Sequence, residues 1–146
     1  MKRHYLAARL VICAAIVIPA LAFTASRLAA DDDHGRCSVK SIRGSFAARL
    51  WGWQGTGATR VPTSAAGFVV LDGGGGITGK ATFSVDGTIL PDQPVNGSYT
   101  VDAETCTGDA VTTVGTFHFA IADNNKETRF VGTTPGTTVV GDVIKQ

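Results

Sequence analysis

From residue 44 onward the chain consists of short runs in which apolar and smaller or polar side chains alternate. The clearest run is residues 115–122, where Phe117, Phe119 and Ile121 occupy every second position. A period of two places successive side chains on opposite faces of a β-strand. No stretch after residue 30 keeps an apolar period of about 3.6, and the frequent Gly, Thr and Val disfavour helix or favour strands. The pattern therefore predicts an all-β domain.

Turn-forming residues divide this domain into about eight predicted strands. Asp86-Gly87 is typical of a two-residue hairpin turn, because both residue types tolerate positive φ. After it we predict a short strand segment at 88–90 and a loop at 91–94, which contains two prolines. A longer loop is predicted at 54–64. The predicted strands are residues 44–53, 65–72, 77–85, 96–102, 109–114, 115–122, 127–133 and 137–144.

The spacing of the strands favours a single antiparallel meander, in which each strand pairs with its neighbour along the chain. A sheet of about eight strands with one apolar face has two exposed edges unless it closes on itself. Closure removes both edges, so a closed β-barrel is favoured over a two-sheet β-sandwich. The sandwich stays the alternative architecture.

Residues 1–30 have the pattern of a signal peptide. Basic residues at the start precede an apolar run at 10–23, which is shorter than the roughly 20 residues of a membrane span. Cleavage is predicted after residue 22 or after residue 30, and a retained membrane anchor is the alternative. The expected organisation is a signal peptide at 1–30, a flexible segment at 31–43 and a barrel domain at 44–146. We expect the processed protein to be exported to the periplasm or beyond, with no membrane span.

Two cysteines remain once Cys13 is removed with the signal peptide: Cys37 and Cys106. Disulfides persist in the oxidising compartments that exported proteins enter, and two cysteines allow one intramolecular pairing. A bridge closing a loop of about 70 residues stabilises by roughly 4 kcal/mol in the chain-entropy model. We therefore predict a Cys37–Cys106 disulfide, with two free thiols as the alternative.

Charge and motifs exclude several classes of function. Without residues 1–30 the chain has nine Lys and Arg against twelve Asp and Glu, so nucleic acid and anionic lipid are not expected partners. The glycine-rich segment 74–80 is close to a phosphate-binding loop, but Ala81 replaces the required Ser or Thr and a strand follows. The acidic residues and His at 31–34 are interpreted as a solvated tail. No metal site and no cofactor is predicted.

The most suggestive candidate binding residues lie on the first strand, where Arg49, Trp51 and Trp53 share one face. Aromatic side chains beside a cation line pockets or stack on sugar rings, and they also plug the ends of small barrels. His118 lies on the polar face of the sixth strand, which points either to solvent or into a barrel. Packing in the core or at a barrel end is the preferred interpretation of the tryptophans, and a surface position that of His118. Because the chain has no convergent set of reactive residues, the face with Arg49, Trp51 and Trp53 still makes ligand binding the leading hypothesis.

Three kinds of function remain open. The first is non-enzymatic binding of a small apolar or amphipathic ligand, or of a surface partner. The second is a barrel cyclase or isomerase, in which Tyr99, His118 or Arg129 acts as acid, base or anion clamp in an apolar cavity. The third is a structural protein of the cell envelope, with a filled barrel and an exposed apolar patch. No group of reactive residues favours the second, so a non-enzymatic role is preferred.

Several strand and turn segments resemble a group of small exported bacterial proteins of unknown function. The resemblance is carried by FVVLDG at 68–73, GGITG at 75–79, NGSYTV at 96–101, CTG at 106–108 and FAIADN at 119–124. It implies a bacterial host and export beyond the inner membrane. The expected architecture is also similar to calycin and allene-oxide-cyclase-like barrels. The latter likeness implies that a cyclase or isomerase activity is compatible with the fold.

Overall fold

The computed structural model describes residues 37–146. The predicted signal peptide, its cleavage sites and the acidic tail lie outside the described residues. Two short 3-10 turns, Gly57–Thr59 and Asp123–Asn125, interrupt an otherwise all-strand domain. The strands are β1 Gly44–Gln54, β2 Val61–Leu71, β3 Gly76–Val85, β4 Thr88–Asp102, β5 Thr107–Thr112, β6 Gly115–Ala122, β7 Glu127–Gly132 and β8 Thr137–Lys145.

The eight strands form a closed barrel in the order of the chain. Each strand pairs antiparallel with the next, and β8 closes the ring by pairing with β1, where Phe46 lies opposite Lys145 and Gln54 opposite Thr137. The predicted antiparallel meander and the preference for a barrel over a sandwich are therefore confirmed.

Alternation along the strands separates an apolar interior from the outer wall. On β6, Phe117, Phe119 and Ile121 point inward and His118 points outward, as predicted. On β1 the fully buried Phe46 begins a series of inward positions that alternates with exposed residues along the strand. Inward side chains from all eight strands enclose one apolar interior.

The predicted loop at 91–94 is wrong, because β4 runs without a break from Thr88 to Asp102. Its register against β3 shifts between Ala81 and Phe83, which accommodates Pro91, while Pro94 pairs with Lys80. Ladder pairing of β4 with β5 begins only at Gly97. The Thr113 hydroxyl donates to the carbonyl oxygen of Pro94, so the free edge of β4 is confined to the residues before Pro94. A missing N–H costs nothing at a free edge, and proline there also discourages pairing with another chain.

The loop between the first two strands is shorter than predicted. In the structure β2 begins at Val61, whereas the sequence predicts that it begins at residue 65. Val61 pairs with Gln54 and Pro62 with Trp53, so β2 begins four residues earlier than predicted and β1 ends one residue later. Pro62 interrupts the strand-forming pattern at 61–64, and pairing with β1 decides the conformation of this segment.

One end of the barrel is closed by residues 37–43, which precede β1. Ile42 is 1% exposed and belongs to the core inside the barrel. The Tyr99 hydroxyl donates to the carbonyl oxygen of Val39 at 3.0 Å, and the Ser41 hydroxyl donates to Asn125 at 3.1 Å. This segment, which the sequence predicts to be flexible, is therefore packed across the end of the barrel.

The predicted disulfide between Cys37 and Cys106 is confirmed. Cys106 lies in the turn between β4 and β5, and the Cα atoms of the two cysteines are 5.3 Å apart. The bond joins positions 69 residues apart in the chain and ties the closing segment to the barrel.

Thr63, on β2 near the other end of the barrel, is buried, and its hydroxyl has no hydrogen-bond partner among residues 37–146. A buried hydroxyl without a partner carries a desolvation cost that a methyl group does not. We expect Thr63→Val to raise the free energy of unfolding by about 1 kcal/mol in urea denaturation. Thr82→Val, on the exposed face of β3, is the matched control and should change it by less than about 0.5 kcal/mol. A destabilised Thr63→Val protein would mean that the hydroxyl is hydrogen-bonded.

Candidate functional site

The barrel interior contains an apolar cavity of about 120 Å³. It extends from Ile42 in the closing segment to Val114 in the turn before β6. Its lining is Ile42, Ala48, Arg49, Leu50, Ala65, Ala66, Val69, Leu71, Ile77, Ala81, Phe83, Val95, Tyr99, Ala110, Thr112, Val114, Phe117, Phe119, Thr128, Phe130 and Val143.

The cavity exists because several inward positions carry alanine. The inward alanines are Ala48, Ala65, Ala81 and Ala110, on four different strands. An eight-stranded barrel has an interior that ordinary core side chains just fill. Alanine at these positions leaves that space empty, and phenylalanines on β3, β6 and β7 also line the cavity.

Few polar side chains border the cavity, and two of them already have protein partners. The Tyr99 hydroxyl donates to Val39, and the Thr112 hydroxyl donates to the carbonyl oxygen of Gly115 at 2.9 Å. Burial raises the pKa of the Tyr99 phenol above its ordinary value, so the phenol remains a neutral donor at physiological pH. The cavity therefore presents an almost entirely apolar surface to anything inside it.

The size of the cavity restricts the class of molecule that it accommodates. Dry apolar cavities of about 150 Å³ bind benzene or xenon, whereas sites for drug-sized ligands measure roughly 300–1,000 Å³. At about 120 Å³, the barrel interior suits a compact apolar molecule or one apolar group of a larger one.

The structure divides the predicted binding residues between the two sides of the barrel wall. Tyr99 lines the cavity. Arg49 borders it on β1, but its side chain is 65% exposed and its Nε donates to Asp142 at 2.7 Å outside the barrel. Trp51 and Trp53 lie on the outer wall, with 49% and 45% of their surface exposed. They do not plug the barrel.

His118 and Arg129 also lie on the outer wall. His118 Nδ1 is 2.9 Å from Oδ1 of Asp109 on the neighbouring strand. Arg129 donates to Glu127 at 2.7 Å, and this contact holds the pKa of the guanidinium above its ordinary value. Neither side chain lines the cavity, so the structure does not bring them together with Tyr99. Their roles in ligand binding remain predictions.

Sequence reasoning missed the alanines that create the cavity. The signal was present in the alternation: Ala48 and Ala81 occupy inward positions of β1 and β3, and Gly67 of β2 lies between them in the sheet. Alanines at one level of neighbouring inward faces indicate unfilled space, whereas Gly67 itself is required by the close approach of the β3 backbone. The registers of the strands are needed to recognise that level.

Within residues 37–146, no group of three or more His, Cys, Asp or Glu side chains is placed to hold a metal ion. No helix in the same part of the chain is long and apolar enough to cross a membrane.

Comparison with known proteins assigns no relative to this barrel. No family model, no curated protein and no solved structure matches the chain. The resemblances to small exported bacterial proteins and to calycin or allene-oxide-cyclase-like barrels therefore stay predictions, and the site has to be interpreted from its own geometry.

Proposed function

We propose that this protein binds a small apolar ligand inside its barrel and does not transform it chemically. The observation that carries the proposal is the cavity of about 120 Å³ whose lining is almost entirely apolar. Burial of an apolar molecule there removes its surface from water, and the side chains that line the cavity gain van der Waals contacts that they lack when it is empty. The cavity is already formed before a ligand binds, because the strands are joined into a closed ring, so binding requires no change in the shape of the barrel.

The polar groups near the cavity support binding over catalysis. Acid–base chemistry requires a titratable group within hydrogen-bond reach of the reacting atom. His118 and Arg129 lie on the outer wall of the barrel, and the Tyr99 hydroxyl already donates a hydrogen bond to the carbonyl oxygen of Val39. A barrel cyclase or isomerase would have to act through Tyr99 alone, so this alternative is less well supported.

The cavity also argues against the purely structural alternative, which requires a filled barrel. Export is part of the proposal, and two observations support it: the signal-peptide pattern of residues 1–30 and the disulfide between Cys37 and Cys106. Disulfides form and persist in the periplasm and outside the cell. We therefore propose that ligand binding takes place there.

The test is to fill the cavity and measure binding of benzene and indole by calorimetry. Leucine at Ala110 occupies the empty space, so we expect Ala110→Leu to weaken binding at least about tenfold without lowering the melting temperature. Ala48→Leu fills the same cavity from another strand and serves if the first variant folds poorly.

Ala120→Leu adds the same atoms to the exposed face of β6 and is the matched control, with unchanged affinity expected. Failure of the unmodified protein to bind either probe would contradict the proposal, as would equal binding by the filled and control variants.

A further inference from the structure

The outer wall of the barrel carries a second feature, a groove formed by two tryptophans. Trp51 and Trp53 are two residues apart on β1, so both point outward, with Cα atoms about 7 Å apart. The groove measures about 300 Å³ and lies outside the apolar cavity. Its lining is Trp51, Gly52, Trp53, Pro62, Thr63, Ser64, Ser84 and Gly87.

Each indole is held by an arginine. The guanidinium of Arg49 lies 5.7 Å from the ring centre of Trp51, and that of Arg60 lies 5.2 Å from the ring centre of Trp53. Arg49 is fixed in turn by its hydrogen bond to Asp142, which is only 7% exposed. Cation–π contacts of this kind reduce the freedom of an exposed ring, so less entropy is lost when a ligand stacks on it.

The floor of the groove is small and polar. Ser64 of β2 lies opposite Trp51, and Ser84 of β3 lies opposite Ser64. The serines and the small residues Pro62 and Gly87 line the groove together with the two half-exposed indoles. Aromatic rings above a row of hydroxyl groups match a sugar, which has apolar C–H faces and polar edges.

The charges beside the groove select among sugars. Arg49 uses its Nε for Asp142, which leaves its terminal guanidinium nitrogens as donors. Arg60 forms no ion pair with another residue of 37–146. The nearest acidic residue in sequence, Asp86, adjoins the floor residue Gly87 but does not line the groove. Guanidinium groups at both ends of the indole pair therefore complement carboxylates on a ligand.

We propose that this groove binds an acidic glycan, a chain of sugar rings that carries carboxylate groups. The rings stack against Trp51 and Trp53, the serine hydroxyls meet the sugar hydroxyls, and Arg49 and Arg60 bind the carboxylates. The inference is independent of the proposed cavity function, because the groove and the cavity lie on opposite sides of the barrel wall.

Intrinsic fluorescence reports directly on the groove, since Trp51 and Trp53 are the only two tryptophans of the chain. Titration with oligogalacturonate, an acidic oligosaccharide, should shift the tryptophan emission and saturate. Cello-oligosaccharides of equal length, which are neutral, should bind at least about fivefold more weakly. Added salt should lower the affinity for the acidic probe and leave the affinity for the neutral probe nearly unchanged.

Substitutions test which side chains carry the binding. Trp51→Ala and Trp53→Ala should each lower the affinity for oligogalacturonate at least about fivefold. Binding to these variants is measured by fluorescence of the remaining tryptophan or by calorimetry. Phe68→Ala is the matched control, because Phe68 is an equally exposed aromatic of the same wall that does not line the groove. Arg60→Ala should reduce the preference for the acidic probe, because one of the two guanidinium groups is lost, whereas Lys80→Ala on the outer face of β3 should preserve it.

Four results would overturn the proposal. The first is the absence of any emission change with either sugar, and the second is equal affinity for the acidic and neutral probes. The third is selective binding of a proline-rich peptide by the groove. The fourth is self-association: a sedimentation boundary for a dimer that disappears in Trp51→Ala would assign the indoles to a second copy of the chain.

Discussion

Replacing both Cys37 and Cys106 with serine is expected to lower the free energy of unfolding by roughly 4 kcal/mol. The bond links positions 69 residues apart, and cutting it restores the conformational freedom of that loop in the unfolded chain. It also releases the segment that closes the barrel at Ile42. Urea denaturation of the oxidised and substituted proteins measures the difference, and thermal denaturation should show a fall of more than about 10 °C.

The reduced unmodified protein is the control for this result, because it lacks the bond but keeps both sulfur atoms. Its stability should match that of the double-serine variant within about 1 kcal/mol. A loss below about 1 kcal/mol in both proteins would contradict the role assigned to the bond, and would mean that packing alone holds residues 37–43 in place.

Truncation of Phe46 to alanine is expected to cost about 3–5 kcal/mol, the range measured for fully buried phenylalanines. Phe46 has no exposed surface, and it packs beside Ile42 in the core. Its removal leaves a space in the packed core, which neighbouring side chains fill only in part. Chemical denaturation of the variant provides the measurement.

Phe68→Ala is the matched control for Phe46→Ala. Phe68 is 45% exposed on the outer wall of β2 and has the same number of atoms to lose. We expect this control to cost less than about 1 kcal/mol. Similar losses for the two variants would mean that Phe46 is not a core residue and that the assignment of inner and outer faces is wrong.

Most of the fold follows from local pattern, and the exceptions have identifiable physical causes. Period-two alternation and turn residues predict the number, order and pairing of the strands, because each strand pairs with its sequence neighbour. The continuous β4 was not predictable, since proline is normally a strand breaker. It is tolerated because β5 leaves one edge of β4 without ladder pairing before Gly97, which depends on the lengths of strands distant in sequence.

The sites were harder to predict than the fold. A period of two assigns residues to two faces but does not say which face is interior on every strand, so Trp51 and Trp53 were compatible with either. Their exposure became clear only when Phe46 and Leu50 were placed inside. The cavity depends on which alanines lie at the same level of the barrel, and that level is set by the registers that place both Ala48 and Ala81 opposite Gly67.

A crystal structure of the protein under xenon pressure tests the central claim most directly. Xenon enters dry apolar cavities and avoids filled or water-occupied ones. The hollow barrel predicts xenon density inside the ring of strands, in contact with Ala110, Phe83 and Phe117. An interior that contains no xenon, whether packed with side chains or filled with ordered water, would contradict it.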